Sequence, residues 1–355
     1  MSPMSALLHI VDPQGPAASG WLSRMAAQHG GGGQVVALGA SAHGAAFRIP
    51  FSGGSVALAA RSLERLCDGV QARVVIAWGA RAAAVAAQAR DAAERWLVLD
   101  AVPPLRSIPF DAEVICLGDA VADQLSAAGW PPMRLRVAQV PSPCMAEPDH
   151  DGSRRAALRK QWGVPDAAFV AGLLPAGPDA GDALGAFHAV GRVRMTGVDA
   201  RLVLASDAGL AGPMQVFARS IGLRDAVHFV DAVRDPASVA PMVDAWLSLR
   251  GACDDATALD PAVAAGLHAP LVAALGSLAA SAVEPNVDGL VAEGRNRIGA
   301  ALLELSRDPA RCRDLSTAAR ARYAGQDRRQ AFARMFDDIA ARARVSESNR
   351  SAAPA

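Results

Sequence analysis

Aromatic residues make up only 5% of this 355-residue chain, and Tyr323 is its single tyrosine. Stacking platforms for nucleic-acid bases and aromatic-lined sugar clefts are therefore excluded as a main theme. Surplus charge is lacking too, since 35 Lys and Arg stand against 35 Asp and Glu. Without a net field the chain is a poor binder of nucleic acid or anionic membranes. The five cysteines, Cys67, Cys116, Cys144, Cys253 and Cys312, include no C-x-x-C pair, which argues against a zinc knuckle or a disulfide framework and fits a reducing, cytoplasmic setting. The first five residues carry no basic segment ahead of an apolar run, so no secretory signal is read there. One uncharged run, residues 262–283, is nearly long enough to span a bilayer. It consists mostly of Ala, Gly and Ser and is interrupted by His268 and Pro270, so it reads instead as a buried helix followed by a buried strand, and no integral membrane segment is expected.

What the chain has in quantity is apolar residues, 52% of the total, enough for two ordinary domains. Short apolar runs rich in Val, Ile and Leu alternate with Ala-rich stretches. In the first half, strands are read over 6–11, 35–38, 74–78, 96–99, 114–117 and 135–140, with helices over about 20–28, 56–66, 81–95 and 119–128. Continuous apolar strands separated by helices imply a parallel sheet covered on both faces. The pattern breaks over 141–152, where Pro141, Pro143 and Pro148 stand among polar residues, as in a linker. It then restarts with a helix over 154–162 and strands over 169–174, 201–205, 227–230, 246–249, 270–274 and 289–292. Helices are read between and after them over 183–194, 214–221, 239–243, 258–265, 297–307, 310–323 and 327–344. In the last, Phe332, Met335, Phe336 and Ile339 form one apolar stripe that must dock on something. The fold class is therefore α/β, with two Rossmann-like domains whose parallel sheets would bind ligand at the carboxyl ends of their strands, in an interdomain cleft.

An ordered series of landmarks in the second half resembles the C-terminal domain of family 4 glycosyltransferases, which have the GT-B fold of two facing Rossmann-like domains. The series opens with the helix and turn ending in Gln161-Trp162-Gly163-Val164-Pro165 and the strand Val170-Ala171-Gly172-Leu173-Leu174. Residues 198–207 follow as the next strand, and then Ile221-Gly222-Leu223-Arg224-Asp225-Ala226-Val227-His228-Phe229. It closes with Ala264-Ala265-Gly266, Pro270-Leu271-Val272-Ala273 and Asn286-Val287-Asp288-Gly289-Leu290-Val291. In the first half, residues 112–125 are similar to the family's strand and helix near the acceptor, and Gly15 to Gly20 stand where the family has a glycine-rich acceptor-side loop. With the linker over 142–152, the chain divides into a domain over 1–141 and one over 153–325, which the resemblance makes the acceptor side and the donor side. A helix over 326–344 follows, read as packing back on the domains, and then a Ser- and Ala-rich tail over 345–355 read as disordered. The resemblance also implies a UDP- or GDP-linked sugar as substrate, an unidentified acceptor, retaining sugar transfer, and neither a metal nor another cofactor.

The residues at the family's site positions depart from its pattern. Counted back from Gly266, with Asp244 as the Asp that leads the strand, the family's two glutamates fall on Cys253 and Pro261, neither of which can accept a sugar hydroxyl as a carboxylate does. Asp254, Asp255 and Asp260 are the carboxylates near enough to stand in. Asp254 and Asp255 also read as a solvated turn and helix cap. Cys253 has no neighbouring histidine in sequence to make it a nucleophile. Where the family places an Arg and a Lys on the donor diphosphate, residues 173–182 hold two acids and no base, which would repel the leaving group. Arg192, Arg194 and Arg250 are the possible replacements. Glu284 lies where the family often has an acid near the donor, and His268 sits in an apparent two-residue insertion. Trp78 stands where an acceptor-side histidine is expected. The run Gly30 to Gly33 precedes a strand and so reads as a connector, since a phosphate loop follows one. The donor-side candidates are thus Gly172, Cys253, Pro261, Gly266 and Glu284, the acceptor-side ones Gly15, Gly20 and Trp78. Two readings share the fold, an active glycosyltransferase and a non-catalytic binding or scaffold protein. A third, an epimerase of the same shape, is opposed by the landmark series.

Overall fold

The computed structural model describes residues 7–11, 23, 26, 33–39, 45–51, 55–89, 94–99, 112–142, 152–174, 180–205, 208–230, 236–249 and 259–351. The chain forms two compact units, one made of residues 1–140 with 326–355 and the other of 141–325.

The first unit holds seven parallel strands, β1 (Leu7–Val11), β2 (Gln34–Leu38), β3 (Phe47–Ile49), β4 (Val74–Trp78), β5 (Glu94–Leu99), β6 (Glu113–Cys116) and β7 (Leu135–Val137). Their order across the sheet is β3-β2-β1-β4-β5-β6-β7. β1 and β4 are buried along their whole length, as continuous apolar runs in a doubly covered sheet must be. Three helices between strands are α1 (Val56–Val70), α2 (Ala80–Gln88) and α3 (Asp119–Ala127). α1 starts where the Ser55 hydroxyl accepts the Leu58 N–H, ends at Gln71 in the left-handed region, and buries Ala59, Ala60, Leu63 and Cys67 on one face. The sequence reading misses the three-residue β3 and carries the helix it starts at 81 on to residue 95. α2 instead stops at Gln88, and β5 begins at Glu94.

The second unit opens with α4 (Ser153–Gln161) and has six parallel strands, β8 (Phe169–Leu173), β9 (Ala200–Ala205), β10 (Val227–Val230), β11 (Ala245–Ser248), β12 (Leu271–Ala274) and β13 (Gly289–Ala292). Their order is β10-β9-β8-β11-β12-β13. The helices are α5 (Ala180–Met195), α6 (Ala208–Ser220), α7 (Asp260–Gly266), α8 (Leu278–Ala282), α9 (Gly294–Arg307) and α10 (Pro309–Tyr323), with 3-10 turns at Pro236–Ser238 and Ala240–Met242 in place of the helix read over 239–243. Residues 262–283 contain most of α7, all of β12 and all of α8, the last capped by the Ser277 hydroxyl. No helix among the described residues is long and apolar enough to cross a membrane. One sheet face packs Ala171, Leu173, Leu202, Leu204 and Leu247 against Phe187 and Val190 of α5 and Ile298 and Leu302 of α9.

The last helix, α11 (Gln326–Ser351), belongs to the first unit. Its predicted stripe docks there: Phe332 and Phe336 are fully buried and lie 6.4 and 5.5 Å from the Trp78 ring, centroid to centroid. The helix continues past residue 344, where the sequence reading ends it, to Ser351. The linker reading falls mainly on residues 143–151, outside the described residues.

Candidate functional site

In an open parallel sheet the ligand crevice forms at the carboxyl ends of the two strands where the order reverses. In the second unit those strands are β8 and β11, which are neighbours although β9 and β10 separate them in sequence. The segments that leave their carboxyl ends, residues 175–179 and 250–258, lie outside the described residues, and with them Cys253, Asp254, Asp255 and Arg250.

The described residues around the crevice, Gly172, Ser248, Asp260 and Pro261, are buried. Ser248 ends β11 and is 2% exposed, and its hydroxyl has no hydrogen-bond partner among the described residues. Asp260 and Pro261 are the first two residues of α7 and are both buried. Gly172 lies within β8 facing Trp246, and a β-carbon there would meet the indole at 2.4 Å. Packing alone therefore demands glycine at that position. Sequence reading passed over Ser248, although a hydroxyl closing the apolar run Ala245-Trp246-Leu247-Ser248 was the available signal.

The other donor-side candidates are at the opposite, amino-terminal edge. Gly266 ends α7, which runs back from the crevice toward the start of β12. Glu284 is exposed in the turn that precedes β13, and its N–H donates to Asp288 Oδ1 at 2.7 Å. Asp288 is itself buried and pairs with Arg322. Arg192 and Arg194, at the far end of α5, are engaged by Asn296 Oδ1 and Asp199 Oδ1, each at 2.9 Å. The fold thus groups Gly172, Asp260 and Pro261 and separates them from Gly266, Glu284 and both arginines.

At that amino-terminal edge Asp244 is a saturated anchor. Its carboxylate accepts the Val170 N–H at 2.7 Å, Arg159 Nη2 at 2.9 Å and Arg155 Nη2 at 2.5 Å. Arg159, 1% exposed, also donates to the carbonyls of Pro165, Asp166, Ala168 and Met242. The network ties α4 to the starts of β8 and β11.

In the first unit the order reverses between β1 and β4. Gly15 and Gly20 follow β1 outside the described residues. Trp78 is the last residue of β4, not part of a loop, and is 1% exposed. Its indole Nε1 donates to His9 Nδ1 at 3.2 Å. His9 is fully buried, and that burial pushes its pKa down to about 3, so the ring is neutral and Nε2 carries the proton. At the mouth of β4, Gly79 takes a φ of 82° to enter α2, and the Arg81 guanidinium lies over the Phe51 ring at 5.1 Å. Among the described residues no group of three His, Cys, Asp or Glu could hold a metal ion. Burial raises the Cys67 and Cys116 thiols to about 11 and about 12.

No protein-family model and no curated protein matches the chain. Solved structures do match it along nearly its whole length. A glycosyltransferase from Rickettsia africae is 11% identical, with a TM-score of 0.70, 95% of this chain covered and 98% of the other. The Anabaena protein HepE, in complex with UDP and glucose, is 16% identical with a TM-score of 0.70, covering 97% and 99%. A Listeria monocytogenes protein described as a candidate UDP-N-acetylglucosamine 2-epimerase is 13% identical with a TM-score of 0.64, covering 100% and 99%. The chain has the GT-B glycosyltransferase fold of two Rossmann-like units. At these identities the likeness is one of fold.

Proposed function

We propose that the chain is a glycosyltransferase-like protein of the family 4 type, acting in the cytoplasm, that binds a UDP- or GDP-linked sugar at the β8/β11 crevice. The observation that carries this reading is the strand order β10-β9-β8-β11-β12-β13, which sets the crevice where nucleotides bind in such sheets. The match to a structure holding UDP and glucose supports it. In the active form of this reading, transfer retains configuration at the sugar, and Asp254, Asp255 or Asp260 supplies the carboxylate that Cys253 and Pro261 do not.

One observation favours the non-catalytic alternative. The acids outside 250–258 are poorly suited to the donor: Asp260 is buried within α7 and Glu284 stands at the opposite edge. Residues 173–182 offer no base to the diphosphate.

Calorimetric titration with UDP, GDP and their common sugar conjugates at low salt separates these readings from no nucleotide function at all. Micromolar binding followed by release of free UDP or GDP supports the transferase. Equal binding without turnover supports the non-catalytic form, and no binding to any of them overturns the nucleotide-sugar reading.

A further inference from the structure

A cavity of about 710 Å³ opens at the amino-terminal edge of the six-stranded sheet, away from the carboxyl ends of β8 and β11. One wall is a face of α10, where Cys312, Arg313, Ser316, Thr317 and Arg320 recur at helical spacing. The other wall holds Arg155, Asp166, Asp244 and His268. The volume is that of a small-molecule site.

We propose that this cavity is a second ligand site, for a small molecule of sugar-phosphate size carrying a phosphomonoester. Three guanidinium groups and two carboxylates line it, with Arg159 behind Asp244. Arg313 and Arg320 are the cations it offers to a phosphomonoester, which carries about 1.5 to 2 negative charges near neutral pH. Asp244 is already occupied by Arg155, Arg159 and the Val170 N–H, so it cannot neutralise a third arginine. Arg313 and Arg320 have no carboxylate partner among the described residues, and the planar guanidinium fork is the side chain best matched to phosphate oxygens.

A second observation is independent of charge. Ser316 lines the cavity, is only 8% exposed, and its hydroxyl has no hydrogen-bond partner among the described residues. Its oxygen is not sealed off like that of Ser248, so it is reachable from the cavity, and a ligand oxygen can accept its proton. His268 holds a left-handed φ of 63°, uncommon outside glycine, at the cavity rim. Cys312 is no nucleophile, because burial and then Asp244 raise its thiol to about 11.

The test is calorimetric titration of the full-length protein at low salt with glucose 6-phosphate, with inorganic phosphate and glucose as controls, in the presence and absence of UDP. Glucose 6-phosphate is expected to bind and glucose not to, with no displacement by UDP. The double variant Arg313→Glu/Arg320→Glu, changed only at exposed positions, is expected to lose at least about tenfold in affinity while its thermal unfolding stays as in the parent. Ser316→Ala is expected to lose about two- to tenfold. Binding that the double variant leaves unchanged, binding displaced by UDP, or no heat with either phosphate overturns the proposal. These outcomes stand whether or not UDP itself binds.

Discussion

In the seven-stranded sheet the residues that fasten the centre are uncharged rings: His9 and Trp78 on adjacent strands, covered by Phe332 and Phe336 of α11. In the six-stranded sheet the comparable fastening is ionic, with Asp244 joining two arginines and a strand amide. One parallel plan is therefore closed once by burial and aromatic contact and once by a saturated charge cluster. The difference is one of failure mode. Removing a ring leaves a void, whereas removing the carboxylate leaves a buried cation without its counter-charge.

Asp244→Ala should show the larger loss, up to about 5 kcal/mol, because Arg159 stays buried and unpaired; denaturant unfolding that shifts by under about 1 kcal/mol would break the contrast. Phe336→Ala should cost about 3–4 kcal/mol through the cavity it opens, with a salt dependence no different from that of the parent. Gly172→Ala drives a methyl into the Trp246 ring and should cost about 1–3 kcal/mol; pairing it with a smaller residue at 246 should restore most of that. His9 sharpens the comparison through pH. Its folded pKa of about 3 lies below the usual 6.5, so only the unfolded chain takes up its proton in that interval. Its contribution is whole above pH 6.5 and falls by about 1.4 kcal/mol per pH unit on acidification toward 3. His9→Gln should remove that part of the acid slope in denaturation curves taken across the interval. The smallest effect belongs to the surface pair: Arg194→Ala, against a carboxylate 39% exposed, should change stability by less than about 1 kcal/mol.

Much of the architecture was open to reading in the sequence because most strands are largely buried and so stand out as short apolar runs. Val74–Trp78, Val227–Val230 and Gly289–Ala292 stand where their apolar runs place them. β3 escaped because the alternation Phe47-Arg48-Ile49 is only three residues long, closed off at once by Pro50. The overlong helix read over 81–95 followed from an Ala-rich stretch with no stop signal before Glu94. α8 escaped inside an uncharged segment, where its Ser277 cap was the only marker. The candidate site was harder. Which edge a residue occupies depends on the direction its helix runs, and that is how Glu284 and Gly266 part from Asp260. Asp244 could be read as a strand marker but not as an anchor, since Val170, Arg159 and Arg155 lie 74, 85 and 89 positions away. Its carboxylate does not reveal those partners until the chain is folded.

The return of α11 to the first unit makes the second unit an insertion, contiguous from 141 to 325, within a host encoded in two pieces. Where the chain enters and leaves the insert, the Ser142 N–H bonds the Tyr323 carbonyl at 2.9 Å. On the host side Arg328 reaches the Val140 carbonyl at 3.5 Å. The insert can thus be excised as one reading frame, while its host can be rebuilt only by splicing residue 140 to the final helix; an amino-terminal fragment alone would leave Trp78 and His9 bare.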